Sequence, residues 1–281
     1  MKLREWQQAA LSQYFDADPD DFLAVATPGA GKTTFALTLA RRLLDRRAVN
    51  RIIVVVPTEH LKHQWADAAS RMGIALDANF TNSAGTLNPV FDGMVVTYAQ
   101  VSMHPFKHNS LATRTKSLVI MDEIHHGGDA KSWGDGIRYA YSDSAKRLEL
   151  TGTPFRSDDA PIPFVRYIED GDGHQVSRAD YTYGYSHALR DGVVRPVVFM
   201  AYSGEARWRD SAGEEFAARL GEPLSAEHTA KAWKTALDPK GQWIPSVLRA
   251  ADIRLKEYRR VIPDAGGLVI ATDTKTARAY A

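Results

Sequence analysis

Two short segments of this sequence carry residue types that can do chemistry together. The first, Ala26 to Thr33, reads "ATPGAGKT". Gly29 and Gly31 let the backbone curl until its N–H groups converge on an anion, Lys32 adds a positive charge, and the Thr33 hydroxyl can ligate magnesium. This is the phosphate-loop pattern with Ala26 in the first glycine's place. Thr27, Ala30 and Thr34 complete the stretch that would line the phosphates, and a helix opening at Lys32 adds its positive end. The second segment, "SLVIMDE", ends in Asp122 and Glu123. A carboxylate there can hold magnesium, usually through water, and its neighbour can polarise an attacking water. The chemistry implied is cleavage of a phosphoryl group from a magnesium-bound nucleoside triphosphate, with Lys32, Asp122 and Glu123 catalytic and with Thr33 and Asp122 on the metal. His125 and His126 follow, but their spacing is not HExxH, and no transition-metal site is expected.

These residues work only if strands and helices present them together. "FLAVAT" reads as a short buried strand before the glycine turn, and a helix follows from about Lys32 to Asp45. Further apolar strands are expected at 51–57, 93–101, 116–123 and 145–154, with a helix from Glu59 to Met72 and another over Leu3 to Phe15. Continuous apolar strands alternating with helices imply an α/β fold, a parallel sheet covered on both faces. "DADPDD" has the alternating acids of a calcium loop but lacks that loop's glycine and glutamate, and it is read as an ordinary loop.

The texture changes after Phe155. Alternating tyrosines at Tyr181 and Tyr183 suggest a half-exposed strand that turns helical, and 193–204 reads as a strand leaving the first domain. The region 205–245 is polar and helical in patches. Ser246 to Ile262 is an amphipathic helix with Val247, Leu248, Ala251, Leu255, Tyr258 and Ile262 on one face. "GLVIATD" is a further apolar strand, and "TKTARAYA" begins a helix.

Composition sets the limits. The 281 residues carry 44% hydrophobic and 25% charged side chains and a net charge of +1, so a nucleic-acid site must be a local patch. There is no cysteine, which excludes disulfides and thiolate chemistry and fits a reducing compartment. The N-terminus is too polar for a signal peptide, and no apolar run approaches the roughly 18 residues of a membrane helix. A cytoplasmic protein with no membrane partner is expected.

The order "ATPGAGKT", "DEIH", "TGTP" resembles superfamily 2 helicases and translocases of the DExH type, excision-repair helicases and restriction-enzyme motor subunits most of all. The resemblance implies a RecA-like sheet followed by a mainly helical extension, ATP and Mg2+ as cofactors, and a nucleic-acid partner, DNA more readily than RNA. "LREWQQAAL" is similar to the adenine-recognition segment, where Gln7 would read the base with Arg4 nearby. Both could instead be exposed polar positions. "VVPTEHLKHQW" and "VTYAQ" resemble strand-end motifs that touch the sugar-phosphate backbone, which nominates Thr58 and Thr97. Either could instead be a helix cap. Thr151, Gly152 and Thr153 resemble the motif that couples the nucleotide to the nucleic acid, and the resemblance implies that His125 joins the catalytic residues and takes part in that link.

Other features read more plainly. The run Arg41, Arg42, Arg46, Arg47 and Arg51 is a solvated helix face, with Arg41 and Asp45 able to pair. Trp208, Trp233 and Trp243 suit packing better than base stacking. The family works with two lobes, and the second supplies arginines that are not recognisable here. The expected layout is a first lobe over 1–203, a connecting helical region over 204–263 and the start of a second lobe over 264–281. Such a piece alone would bind nucleotide weakly and turn it over little, and residues from about 264 would be poorly anchored. The alternative is a nucleotide-dependent DNA-binding or scaffold module of a restriction or defence complex that unwinds nothing. A small-molecule kinase is disfavoured, because it has no use for a link from ATP to a nucleic-acid groove.

Overall fold

The computed structural model describes residues 2–128, 131–154, 161–171, 174–195, 205–209, 215–219 and 225–281. Two compact units divide at Pro196 and Val197. The first begins with α1 (Glu5–Ala17), β1 (Asp21–Ala26), α2 (Lys32–Asp45), β2 (Arg51–Val56) and α3 (Glu59–Ser70). It continues with β3 (Leu76–Asp77), β4 (Gly93–Thr97), α4 (Tyr98–Met103), α5 (Pro105–Thr113) and β5 (Ser117–Asp122). A 3-10 turn over Ile124–Gly128, α6 (Lys131–Tyr141) and β6 (Lys146–Thr151) follow. The unit ends with β7 (Tyr167–Glu169), β8 (Gln175–Ser177), β9 (Tyr181–Tyr183) and α7 (Tyr185–Arg190).

Seven strands form one sheet in the order β3-β4-β2-β5-β6-β1-β9, and every pairing in it is parallel. Its strands alternate between two buried faces, as continuous apolar strands must. Phe22, Ala24 and Ala26 of β1 pack with Trp6, Leu11, Phe35 and Leu39 on the α1–α2–α3 side. Leu23 and Val25 pack with Tyr98, Ile137 and Tyr141 on the α4–α5–α6 side. Parallel strands bring all their carboxyl ends to one edge, where crevices bind ligands in open α/β sheets. The phosphate loop, Thr58, Thr97, Asp122 and Thr151 therefore share one edge.

Two expectations change in this unit. The strand expected over 93–101 ends at Thr97, because Thr97 Oγ1 accepts the Gln100 N–H and starts α4. A β7–β8 hairpin, which the sequence did not announce, precedes β9. Lys32 to Asp45 is helical as expected, and Arg41 pairs with Asp45 while Arg46 stacks on Phe15, 4.1 Å from the ring centre.

The second unit contains β10 (Glu205–Arg209) and β11 (Glu215–Arg219), an antiparallel pair in a region expected to be helical in patches. It continues with α8 (Ala226–Ala236), α9 (Trp243–Arg259) and α10 (Thr274–Tyr280). Trp233 and Trp243 meet edge to face at 6.4 Å. The strand expected at "GLVIATD" does not form. Leu268 and Ile270 are exposed and the segment pairs with no described strand, for a lone strand has no ladder to satisfy its backbone. The strand expected over 193–204 falls mostly outside the described residues. Among the described residues no helix is long and apolar enough to cross a membrane.

Candidate active site

The loop after β1 is shaped by its two glycines. Gly29 has φ 77° and Gly31 φ 89°, the left-handed region that L side chains avoid. Three consecutive loop carbonyls are tied to the start of α1. Arg4 Nη1 donates to Gly29 O at 2.9 Å, Trp6 Nε1 to Ala30 O at 3.1 Å, and Gln7 Nε2 to Gly31 O at 2.9 Å. Across a trans peptide the N–H points opposite to its C=O. Tying down the Ala30 and Gly31 carbonyls thus turns the N–H groups of Gly31 and Lys32 away from α1, as an anion cradle requires.

Gln7 sits within this arrangement and is only 3% exposed. Its Oε1 accepts the Arg4 N–H at 2.8 Å while its amide nitrogen serves Gly31. A side chain at position 31 would press on that nitrogen at 2.9 Å. Gln7 and Arg4 are thus not idle polar positions on a helix, and what the structure gives them is support of the loop. Arg4 also borders a cavity of about 370 Å³ lined by Glu5, Tyr183, Asp191 and Val193.

Lys32, Glu123, His125 and the Thr151–Thr153 turn form one connected cluster. Lys32 Nζ lies 2.9 Å from Glu123 Oε1 and donates to Ala26 O at 3.2 Å. The other Glu123 oxygen accepts the Gly152 N–H at 3.4 Å and lies 3.6 Å from His125 Nδ1. His125 Nδ1 bonds Thr151 Oγ1 at 2.9 Å, and that hydroxyl also receives the Thr153 N–H and donates to Thr153 O. Glu123 itself has φ 48°, a strained conformation for a glutamate and one that gathers at functional sites. Gly152 is tightly enclosed, since a methyl group there would stand 3.2 Å from Pro28 and 3.4 Å from Ala26 O. The order β5-β6-β1 explains the closeness: β6 lies between the carboxylate strand and the loop strand, so its terminal turn touches both.

Asp122 is buried next to this cluster, and burial raises its carboxyl above the usual range. Trp65 Nε1 donates to its Oδ2 at 2.8 Å and favours the charged form. Tyr98 Oη donates to the Asp122 carbonyl at 2.8 Å. Thr27, Thr33 and Thr34 are half-buried along the loop and the first turn of α2. Thr33 is on that turn, as a magnesium ligand would be.

The two nominated threonines differ. Thr58 is exposed at the N-cap of α3 and its side chain makes no capping bond. Thr97 is 5% exposed and its hydroxyl is engaged in capping α4. Sequence reasoning did not single out Trp6, Trp65 or Tyr98. The available signal was that a buried indole N–H or phenol O–H must find an acceptor.

Residues 1–156 match the ResIII family, described as type III restriction enzyme, res subunit. The chain belongs to this family. Its first unit is a superfamily 2 helicase-like lobe with a RecA-like sheet, an ATPase domain of the helicase and restriction-enzyme kind. The protein Rv2917 of Mycobacterium tuberculosis strain H37Rv is 63% identical over 279 residues, 99% of this chain and 46% of its own length. The protein ML1624 of Mycobacterium leprae is 60% identical over 279 residues, 99% of this chain and 47% of its own. The chain thus spans about half the length of these relatives. Among solved structures it is similar to the Sulfolobus solfataricus SWI2/SNF2 ATPase core in complex with double-stranded DNA, with a TM-score of 0.47 and 18% identity over 57% of this chain and 34% of that one. A nuclease-deletion mutant of the type ISP restriction-modification enzyme LlaGI, with a DNA substrate mimic, gives a TM-score of 0.48 and 16% identity over 69% and 21%.

Proposed function

We propose that the first unit is the ATP-binding lobe of a motor that couples ATP hydrolysis to movement on nucleic acid, DNA more readily than RNA. The observation that carries this reading is the unbroken chain Lys32–Glu123–Gly152 and His125–Thr151–Thr153. A simple phosphatase needs the first pair but has no use for the relay behind it. The donor set suits Mg-ATP: turned-out amides at Gly31 and Lys32, a lysine, a threonine on the first turn of α2 and a buried carboxylate. Thr33 and Asp122 would hold the magnesium, which supplies charge neutralisation on the phosphates. Lys32 would exchange Glu123 for the terminal phosphates, and Glu123, so released, would orient the attacking water. His125 and Gly152 would report that change to the Thr151–Thr153 turn. The base would rest against Arg4 at its cavity, with Gln7 holding the loop beneath.

On this reading the opposite wall of the site, with its arginines, belongs to a second lobe, and residues 264–281 begin it. The layout would be 1–203, 204–263 and 264–281. Thr58 is the better placed of the two threonines to meet a backbone phosphate, because its hydroxyl is not engaged in capping. Displacement of a triplex-forming strand by the full-length protein tests the reading. ATP-dependent displacement is expected. ATP hydrolysis without any displacement would instead favour a nucleotide-dependent scaffold.

A further inference from the structure

Asp122 is held by two aromatic donors that come from the two strand-end segments at this edge of the sheet. Trp65 lies on α3, the helix that Thr58 precedes, and is 2% exposed. Tyr98 directly follows Thr97, opens α4 and is 1% exposed. The indole N–H reaches the Asp122 carboxylate at 2.8 Å from one face of the sheet. The phenol reaches the Asp122 carbonyl at 2.8 Å from the other face. Nothing in the backbone requires this, since α3 and α4 already pack through Ala69 and Val101.

An indole has a single N–H and no acceptor, so a buried one follows its partner or loses its bond. Close packing leaves little slack around either ring. A turn of the Asp122 carboxylate towards a bound metal that keeps the Oδ2 bond would carry Trp65 and, with it, the start of α3, and any shift of the Asp122 backbone would reach Tyr98 through its carbonyl. We propose that Trp65 and Tyr98 are positioning residues that couple occupancy of the metal–nucleotide site to the strand-end segments at Thr58 and Thr97. This route is separate from the His125–Thr151 relay. It rests on the motor reading above, in that those segments face the nucleic acid. Coupling of this kind is reciprocal: nucleotide changes the grip on the strand by the same factor as the strand changes the grip on nucleotide.

The test is a binding measurement on the full-length protein. Affinity for a fluorescein-labelled oligothymidylate is read by anisotropy without nucleotide and with Mg-ADP–beryllium fluoride. Wild type is expected to show a ratio of about 5 to 150 between the two conditions. Trp65→Phe should bring that ratio towards one, and Tyr98→Phe, which deletes a single oxygen atom, should lower it. Circular dichroism checks that each variant is folded, and Tyr98→Phe decides the matter if Trp65→Phe is not. A merely structural role would weaken binding equally in both conditions and leave the ratio intact, which would overturn the inference. So would a wild type that binds both ligands without linkage. A wild type that binds no oligonucleotide at all would overturn the motor reading, and the inference with it.

Discussion

On the proposed reading, Glu123 is the residue on which the chemistry turns. Its left-handed φ of 48° places one carboxylate oxygen at Lys32 and the other at the Gly152 amide. Glu123→Gln keeps the shape and the hydrogen-bonding reach of the side chain but removes the charge. Nucleotide binding is expected to persist while hydrolysis falls about a hundredfold or more, the usual contribution of a positioned general base. Isothermal titration with ADP and a phosphate-release assay on the same preparation check the two halves. The carboxylate pair was legible as a candidate because it ends an apolar run, and the lysine because it follows a glycine turn. The strain at Glu123 was not, for a glutamate carries no sign of a positive φ.

At the scale of elements, α1 acts on the phosphate loop. Trp6 is stacked on Tyr183 at 5.3 Å, which holds its N–H under Ala30 O. Trp6→Phe preserves most of the stacking but leaves that buried carbonyl without its donor. The loss of one such bond is worth about 1 kcal/mol, so nucleotide affinity is expected to fall by up to about tenfold. Fluorescent-nucleotide titration reads it directly. Wild-type affinity in this variant would mean that the loop holds its shape without α1. Helix α2 could be read to the residue, because a glycine turn begins it and its apolar side is regular. The end of β4 could not, because "VTYAQV" is as apolar as a strand and only the Thr97 cap reveals the change of direction. The tie between α1 and the loop also escaped the sequence, since hydrogen bonds across 24 or 25 positions leave no local pattern.

At the scale of the whole first unit, two buried ionisable groups bear on stability from opposite sides. His108 is fully buried, bonds Asn82 and has its ring pushed down to about 4, chiefly by burial. Its folded value is depressed below the ordinary 6.5, so the stability it contributes is present above 6.5 and is lost as pH falls through about 4. The full swing is about 3 kcal/mol. Glu149 is buried in β6, with neither carboxylate oxygen finding a hydrogen-bond partner among the described residues, and burial raises it well above 4.5. Its contribution is present below 4.5 and is lost as pH rises towards its folded value. Thermal melts across pH should therefore show His108→Gln flattening the acid side and Glu149→Leu flattening the neutral side. Identical profiles in all three proteins would contradict both burials. The sequence put the end of the first lobe at 203, after a strand leaving it, whereas the two units divide at Pro196; the β10–β11 pair was not legible at all, because polar strands lack the apolar runs that betray a buried sheet.

The central claim is that ATP turnover in this site answers to nucleic acid. Steady-state phosphate release by the full-length protein, with and without DNA, tests it most directly. The expected result is hydrolysis that DNA stimulates several-fold, that falls with rising salt as phosphate contacts are screened, and that Glu123→Gln lowers about a hundredfold or more. Turnover that is the same with and without DNA at low salt, or that Glu123→Gln leaves unchanged, would contradict it.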